Sequence, residues 1–195
     1  MPDNDLWIVV GLGNPGPDYA ATRHNVGYLV VELLAERAGA KLKTHRRGRS
    51  DVAETRVGGP PGERAILARP RSYMNLSGGP VAALCQFFKV EPERIVVVHD
   101  ELDLPYGSLR IKFGGGDNGH NGLRSIRSAL GTGDFHRVRF GVGRPPGRME
   151  PAAYVLKPWS AVERKDLDVN VDRTADAVEA LLVDGLAYAQ NHYNN

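Results

Sequence analysis

Polar residues of chemically useful types cluster where predicted structural elements begin or end. Asn14 follows the first predicted strand. His24 sits in Tyr19-Ala-Ala-Thr-Arg23-His24-Asn25, at the start of the first predicted helix. Tyr73-Met74-Asn75-Leu76-Ser77-Gly78 precedes a second helix, and His99-Asp100-Glu101-Leu102-Asp103 follows a buried strand. Strand ends and helix starts share one rim of an α/β sheet, so His24 and Asp100 are expected to meet there. A histidine with a carboxylate on one ring nitrogen is a general base. The helix start near His24 is expected to oppose positive charge and keep the ring neutral. The plainer reading of a histidine at a helix start is local capping or solvent exposure. The base would activate water, since no G-x-S-x-G elbow occurs and Cys85, the one cysteine, falls on an apolar helix face. Asn14 and Asn75 offer amide donors to a carbonyl oxygen or its oxyanion. His99, Asp100 and Asp103 are metal-ligand types, but no H-x-x-x-H pair or further histidine cluster completes a site, so no metal is expected.

Two glycine-rich segments carry phosphate-binding patterns of different kinds. Gly11-Leu12-Gly13-Asn14-Pro15-Gly16 fits the G-x-G-x-x-G dinucleotide fingerprint, which would suggest a nicotinamide-dependent oxidoreductase. Pro15 and Pro17 flank Gly16, and a residue before proline avoids helical backbone, so the phosphate-binding helix cannot start there. The acidic residue required about 20 positions later is also missing. The second segment, residues 114–122, lacks the Lys-Ser/Thr ending of a nucleotide P-loop. It could still present backbone N–H groups to a phosphate, with Lys112, Arg124, Arg127, Arg137 and Arg139 around it.

The elements that must position these residues alternate strand with helix. Residues 6–10 and 95–98 are continuous apolar runs, the pattern of strands covered on both faces. Val26, Leu29, Val30, Leu33 and Leu34 repeat at helical spacing, and the helix should stop near Gly39. Residues 51–57 and 64–69 read as a hairpin, 77–88 as a helix, and 109–113 and 137–142 as strands. Leu123, Ile126 and Leu130 mark another helix. Ser160 and Glu163 form a capping box predicted to open a long helix ending at Gly185, and a last helical turn covers residues 186–190. The expectation is one α/β domain over residues 1–195, a mixed, twisted β-sheet sandwiched between α-helices.

Composition sets outer limits. With 195 residues, 42% hydrophobic and 25% charged, the chain is neither disordered nor fibrous. No apolar run approaches the length of a membrane span, no signal peptide is visible, and a single cysteine excludes a disulfide scaffold, which together suggest a cytoplasmic protein. The net charge of +2 hides an uneven distribution. Residues 41–71 hold nine Lys or Arg against three Asp or Glu, and residues 109–149 hold eight against two, so each segment carries +6. Such asymmetry points to a polyanionic partner and leaves a non-catalytic RNA-binding module as an alternative.

Taken in order, G-L-G-N-P-G, Y-x-x-T-R-H-N, M-N-L-S-G, H-D-E-L-D-L-P, G-G-G-x-x-G-H-N-G-L and F-x-R-x-R-x-G-x-G-R-P are a specific set. The sequence closely resembles the bacterial peptidyl-tRNA hydrolases, from about residue 7 to 190. The resemblance implies a monomeric α/β enzyme that needs no metal or organic cofactor. It would hydrolyse the ester joining a peptide to the tRNA 3′ end and release free tRNA. Residue by residue, the resemblance makes His24 the catalytic base, Asp100 its supporting carboxylate and Asn14 the group that distinguishes blocked from free aminoacyl substrates. It places Tyr19, Tyr73, Asn75 and Asn121 against the peptidyl or 3′-terminal part, with Met74 and His120 lining the same cleft. Lys112 and Arg139 match basic residues thought to clamp tRNA phosphate, and Asp117 is a doubtful phosphate contact. The sequence assigns no role to the basic segment 41–71 and leaves open whether residues 143–153 form a lid.

Overall fold

The computed structural model describes residues 4–47 and 49–195. Among the described residues, seven strands join one mixed sheet in the order β2-β3-β4-β1-β5-β7-β6. The strands are β1 (Trp7–Gly11), β2 (Lys43–Thr44), β3 (Ser50–Val57), β4 (Glu63–Pro70), β5 (Ile95–Glu101), β6 (Leu109–Phe113) and β7 (His136–Gly141). β1 is parallel to β4 and β5, and β5 to β7, whereas β2–β3, β3–β4 and β6–β7 are antiparallel. The helices are α1 (Val26–Arg37), α2 (Gly78–Phe88), α3 (Asn121–Leu130), α4 (Pro151–Val155), α5 (Ala161–Arg164), α6 (Leu167–Asp184) and α7 (Leu186–Tyr193). Among the described residues, no helix is long and apolar enough to cross a membrane.

Alternation along the two central strands builds two cores. Val9, Val96 and Val98 face α1, α6 and α7, while Ile8, Val10, Ile95 and Val97 face α2 and α3. A strand buried on both faces needs apolar residues at every position, which is why these runs are continuous. Each such side chain contributes roughly 1.5–3 kcal/mol on burial. The glycines of the first loop are set by packing rather than by a cofactor. A Cβ on Gly11 would lie 2.1 Å from the Gly27 carbonyl oxygen, and one on Gly27 would lie 2.4 Å from the Leu12 nitrogen and the Val98 oxygen. α1 therefore touches β1 and β5 directly at the rim where His24 must be placed.

Three boundaries differ from the sequence reading. β5 continues through Glu101, so Asp100 is a strand residue paired with Phe140 rather than part of the following loop. The ladder to β7 supplies partners that the polar sequence His99-Asp100-Glu101 does not advertise. The Ser160–Glu163 capping box is present, but it caps the four-residue α5, and the long helix α6 starts separately at Leu167. Glu163 is buried against Arg23, which ties that first turn to another part of the fold. The last helical segment runs to Tyr193 because Asn194 and Asn195 dock on the β6 edge, their side-chain oxygens accepting from the Ile111 and Leu109 N–H groups at 2.6 Å and 3.0 Å.

Candidate active site

The rim of the sheet holds a cleft of about 630 Å3 between the ends of β1 and β5, the segment before α2, the start of α3, and α4. His24 projects from a short 3-10 turn, Arg23–Asn25, that precedes α1. Both neighbours anchor that turn. The Arg23 Nε and Nη2 donate to Glu163 at 3.2 Å and 2.6 Å, and its Nη1 reaches the Tyr154 and Lys157 carbonyls that flank the end of α4. Asn25 accepts from the Asn14 N–H and donates to the Asn14 carbonyl, each at 2.9 Å. One three-residue turn thus fixes the base, the α4 wall and the Asn14 loop together.

Hydrogen bonds to groups of known polarity assign the protons. Asp100 is almost fully buried, and its Oδ2 lies 2.8 Å from His24 Nδ1 while its Oδ1 lies 2.9 Å from His120 Nε2. His120 Nδ1 accepts from the Gly122 and Leu123 N–H groups at 3.1 Å and 3.3 Å, capping α3. His120 therefore carries its proton on Nε2 and donates it to Asp100. His24 likewise donates Nδ1–H, which leaves the Nε2 lone pair of the neutral ring for the cleft. Burial by itself would raise the Asp100 pKa, but His24 and His120 hold the carboxyl well below its ordinary range. Burial would lower the His24 pKa, but the charge and hydrogen bond of Asp100 outweigh it and the net shift is upward from 6.5. This corrects the expectation that a helix start keeps the ring from charging. His24 lies ahead of α1, and the buried carboxylate at 2.8 Å dominates.

Asn14 is oriented by the same logic. Its Oδ1 accepts from the Met74 N–H at 2.7 Å, so its Nδ2 amide hydrogens remain as donors at the cleft wall. Tyr19 and Tyr73 meet edge to face at 6.1 Å, and Tyr73 is 56% exposed. Met74, Asn75, His120 and Asn121 complete the predicted lining. The cleft is also lined by Leu102, Asn118, Val155 and Leu156, which carried no sequence signal as site residues, and by Glu150, Pro151 and Ala152 from the segment 143–153. Asn118 donates to Glu101 at 2.9 Å and to Asp103 at 2.7 Å, a role with no local signal beyond its place in a glycine loop.

The basic residues sort differently. Lys112 and Arg139 lie outside the cleft lining. Arg139 Nε and Nη2 both donate to Glu101 Oε1, at 3.1 Å and 2.9 Å. Burial and the nearby Arg139 and Arg137 charges lower the Lys112 pKa. Arg137, read from sequence as part of the basic surround, is instead fully buried, where it binds the Gly115 and Gly133 carbonyls at 2.8 Å and 3.0 Å and braces the glycine loop. Asp117 faces Arg124 and Arg127 and accepts from the Gly119 N–H.

His99 is buried, with its Nδ1 on the Asp100 carbonyl at 2.8 Å and its pKa pushed down to about 3 by burial. It points away from the use considered for it as a ligand beside Asp103, which pairs with Arg144. Among the described residues, the ligand-type groups that converge are His24, Asp100 and His120, with ligand atoms within 4.8 Å of one another. An ion there would have to displace both protons that the two rings donate to Asp100. Cys85 is half-buried and burial pushes its thiol up to about 11, an inert state.

The family model for peptidyl-tRNA hydrolase matches residues 8–195. The chain belongs to the peptidyl-tRNA hydrolase family. It is 62% identical over 192 residues to the peptidyl-tRNA hydrolase of Frankia alni, covering 98% of this chain and 95% of the relative. It is 61% identical over 191 residues to that of Streptomyces coelicolor, covering 97% and 95%. The crystal structure of peptidyl-tRNA hydrolase from Acinetobacter baumannii superposes with a TM-score of 0.88 at 36% identity, covering 98% of this chain and 97% of that one. The mixed α/β fold and the family inferred from the ordered motifs both agree with these findings.

Proposed function

We propose that His24 is the general base with which this member of the family hydrolyses the ester between the peptide and the tRNA 3′ end. The observation that carries this reading is the pair of contacts on buried Asp100, 2.8 Å from His24 Nδ1 and 2.9 Å from His120 Nε2, which commits His24 Nδ1 to the carboxylate and leaves Nε2 for a proton from the cleft, with the Asn14 amide nitrogen on the same wall. A water molecule loses a proton to His24 Nε2 as its oxygen attacks the ester carbonyl. The imidazolium that forms is stabilised by Asp100 at 2.8 Å. An amide donor from Asn14 or Asn75 stabilises the oxyanion. The tetrahedral intermediate then breaks its bond to the ribose oxygen, and the His24 proton passes to that oxygen. The products are the free peptide acid and tRNA, and His24 returns to its neutral form.

Tyr19, Tyr73, Met74, Asn75, His120 and Asn121 line the space for the peptidyl and 3′-terminal groups, and the excess positive charge of segment 109–149, with Lys112 and Arg139 outside the cleft, supports it as the surface that meets the acceptor arm. No organic cofactor or metal takes part in this scheme. The protein acts as a cytoplasmic monomer of one domain. Release of tRNA from an N-blocked aminoacyl-tRNA tests the reading. His24→Ala is expected to lower kcat about 10²–10⁴-fold, the size of a general-base contribution. Near-wild-type turnover of that variant refutes the assignment.

A further inference from the structure

The two basic segments lie at opposite edges of the sheet. Residues 109–149 supply β6 at one edge and residues 41–71 supply β2 at the other, with the strands that carry the cleft between them. Six strand spacings of about 4.8 Å set the edges roughly 29 Å apart. The mechanism uses nothing from the β2 edge. Yet Lys41, Lys43, Arg46, Arg47 and Arg49 are all exposed there, and none forms an ion pair among the described residues. By contrast, Arg64 and Arg69 on β4, two strands in from this edge, are paired at 2.9 Å and 2.5 Å.

Edge protection explains only part of this cluster. Lysines on a short edge strand discourage pairing with another chain, and Lys41 and Lys43 fit that purpose. Arg46, Arg47 and Arg49 lie beyond the Thr44–Asp51 pair that ends the ladder, where no edge is left to protect. The guanidinium groups of Arg46 and Arg47 sit 5.2 Å and 5.8 Å from the centre of the Phe87 ring, and His45 meets the same ring edge-on at 4.6 Å. Both exposed cations are thus within cation–π reach of one ring. Beside them is a concave surface of about 720 Å3 lined by Lys41, Lys43, His45, Arg46, Phe87 and Phe88 among others. The turn is also tied to the cleft. The Arg49 carbonyl accepts from the Arg71 N–H at 2.9 Å, and two residues later the chain reaches Tyr73 on the cleft wall.

We propose that this arginine turn, with Lys41 and Lys43, is a second contact for the sugar–phosphate backbone of the substrate tRNA, on the opposite flank of the cleft from Lys112. The inference rests on the reading of the cleft as the peptidyl-tRNA site. Guanidinium forks match phosphate oxygens in pairs, and cations without a carboxylate partner have no ion pair to break on binding. A substrate whose 3′ end enters the middle of the rim extends toward both edges.

The test compares two double variants that remove the same net charge. Arg46→Gln/Arg47→Gln alters the turn. Arg56→Gln/Arg64→Gln alters a cross-strand pair at the far end of the β3–β4 hairpin, away from the cleft rim. Each phosphate contact contributes about 0.9 to the slope of log affinity against log salt. Loss of two contacts should therefore raise KM for peptidyl-tRNA and make its rise between 50 and 200 mM salt about tenfold shallower. The far-end variant should keep the wild-type slope. Turnover of an N-blocked aminoacyl ester on a short oligonucleotide reports the cleft chemistry without the tRNA body. The proposal fails if the turn variant keeps the wild-type KM and slope, or if both variants lose the same slope. It also fails if the turn governs binding of an unrelated RNA duplex and not of peptidyl-tRNA. Absence of peptidyl-tRNA turnover in the wild-type protein overturns the functional reading instead.

Discussion

Replacing Asp100 by asparagine should invert the catalytic histidine rather than merely weaken it. Asp100 accepts two hydrogen bonds, from His24 Nδ1 and from His120 Nε2. An amide has one acceptor oxygen and one donor nitrogen, so in Asp100→Asn one ring loses its acceptor. His120 cannot easily yield, because its Nδ1 is committed to the Gly122 and Leu123 N–H groups. The amide oxygen is therefore drawn to His120, and the amide N–H faces His24 Nδ1. That drives the His24 proton onto Nε2, and the ring presents a donor to the attacking water. Recovering the productive tautomer costs the two capping bonds of His120, about 0.5–1.5 kcal/mol each. Loss of a charged acceptor for the imidazolium adds about 1–2 kcal/mol. The sum of about 2–5 kcal/mol corresponds to a loss of roughly 30-fold to 5,000-fold in kcat. Single-turnover release of tRNA measures it, and a loss under about tenfold refutes the reasoning. The double variant Asp100→Asn/His120→Ala sharpens the test. With the capping constraint gone, the amide is free to turn its oxygen to His24, so this variant should be no slower than Asp100→Asn alone. A rate reduced by the product of the two single losses would show that tautomer inversion is not the cause. The pH profile gives an independent sign. Asp100 holds the His24 pKa above 6.5, so wild-type kcat/KM should fall as pH drops through that higher value. Removing the charge leaves the lowering effect of burial unopposed, and the acidic limb should move to lower pH.

Other substitutions probe separate parts of the site. Asn14→Asp keeps an oxygen for the Met74 N–H but removes the amide donor, and should reduce cleavage of N-blocked aminoacyl-tRNA about 10²–10³-fold. If blocked and free aminoacyl-tRNA lose equally, Asn14 does not discriminate between them. Lys112→Ala and Arg139→Ala should raise KM for peptidyl-tRNA and flatten its salt dependence, with Arg139→Ala also removing the cation paired with Glu101. A fall in kcat alone, with the salt slope intact, removes both from the phosphate contacts. Arg23→Met leaves the carboxylate of Glu163 buried and unpaired, which should cost about 3–5 kcal/mol in denaturant unfolding at pH 7. Because pairing with Arg23 and the Ser160 bonds outweigh burial and lower the Glu163 pKa from 4.5, the loss should shrink as pH falls below that value.

Much of the arrangement is present in the residue order. The apolar runs at 6–10 and 95–98 can only be strands buried on both faces, and the prolines at 15 and 17 rule out a helix at the G-x-G-x-x-G loop, because both follow from local sterics and solvation. Residue types named Asn14, His24, Asn75 and Asp100 as the chemically able set, the resemblance added His120, and all five line one cleft. What sequence could not supply was the direction of each hydrogen bond and each charge. The His24 shift is upward because a buried carboxylate lies 2.8 Å away, a distance set by β5 running on to Glu101 and by α1 seating Gly27 on Gly11. Arg137 and Arg139 read as surface cations from composition, but the ladder between β5 and β7 turns one under the glycine loop and the other onto Glu101. The two basic segments are equal in charge along the chain and become opposite edges only when the strand order is known. Local patterning decides which segments are strand, helix or loop. The partners of a buried polar group come from segments distant in sequence, so its protonation and its role belong to the tertiary fold.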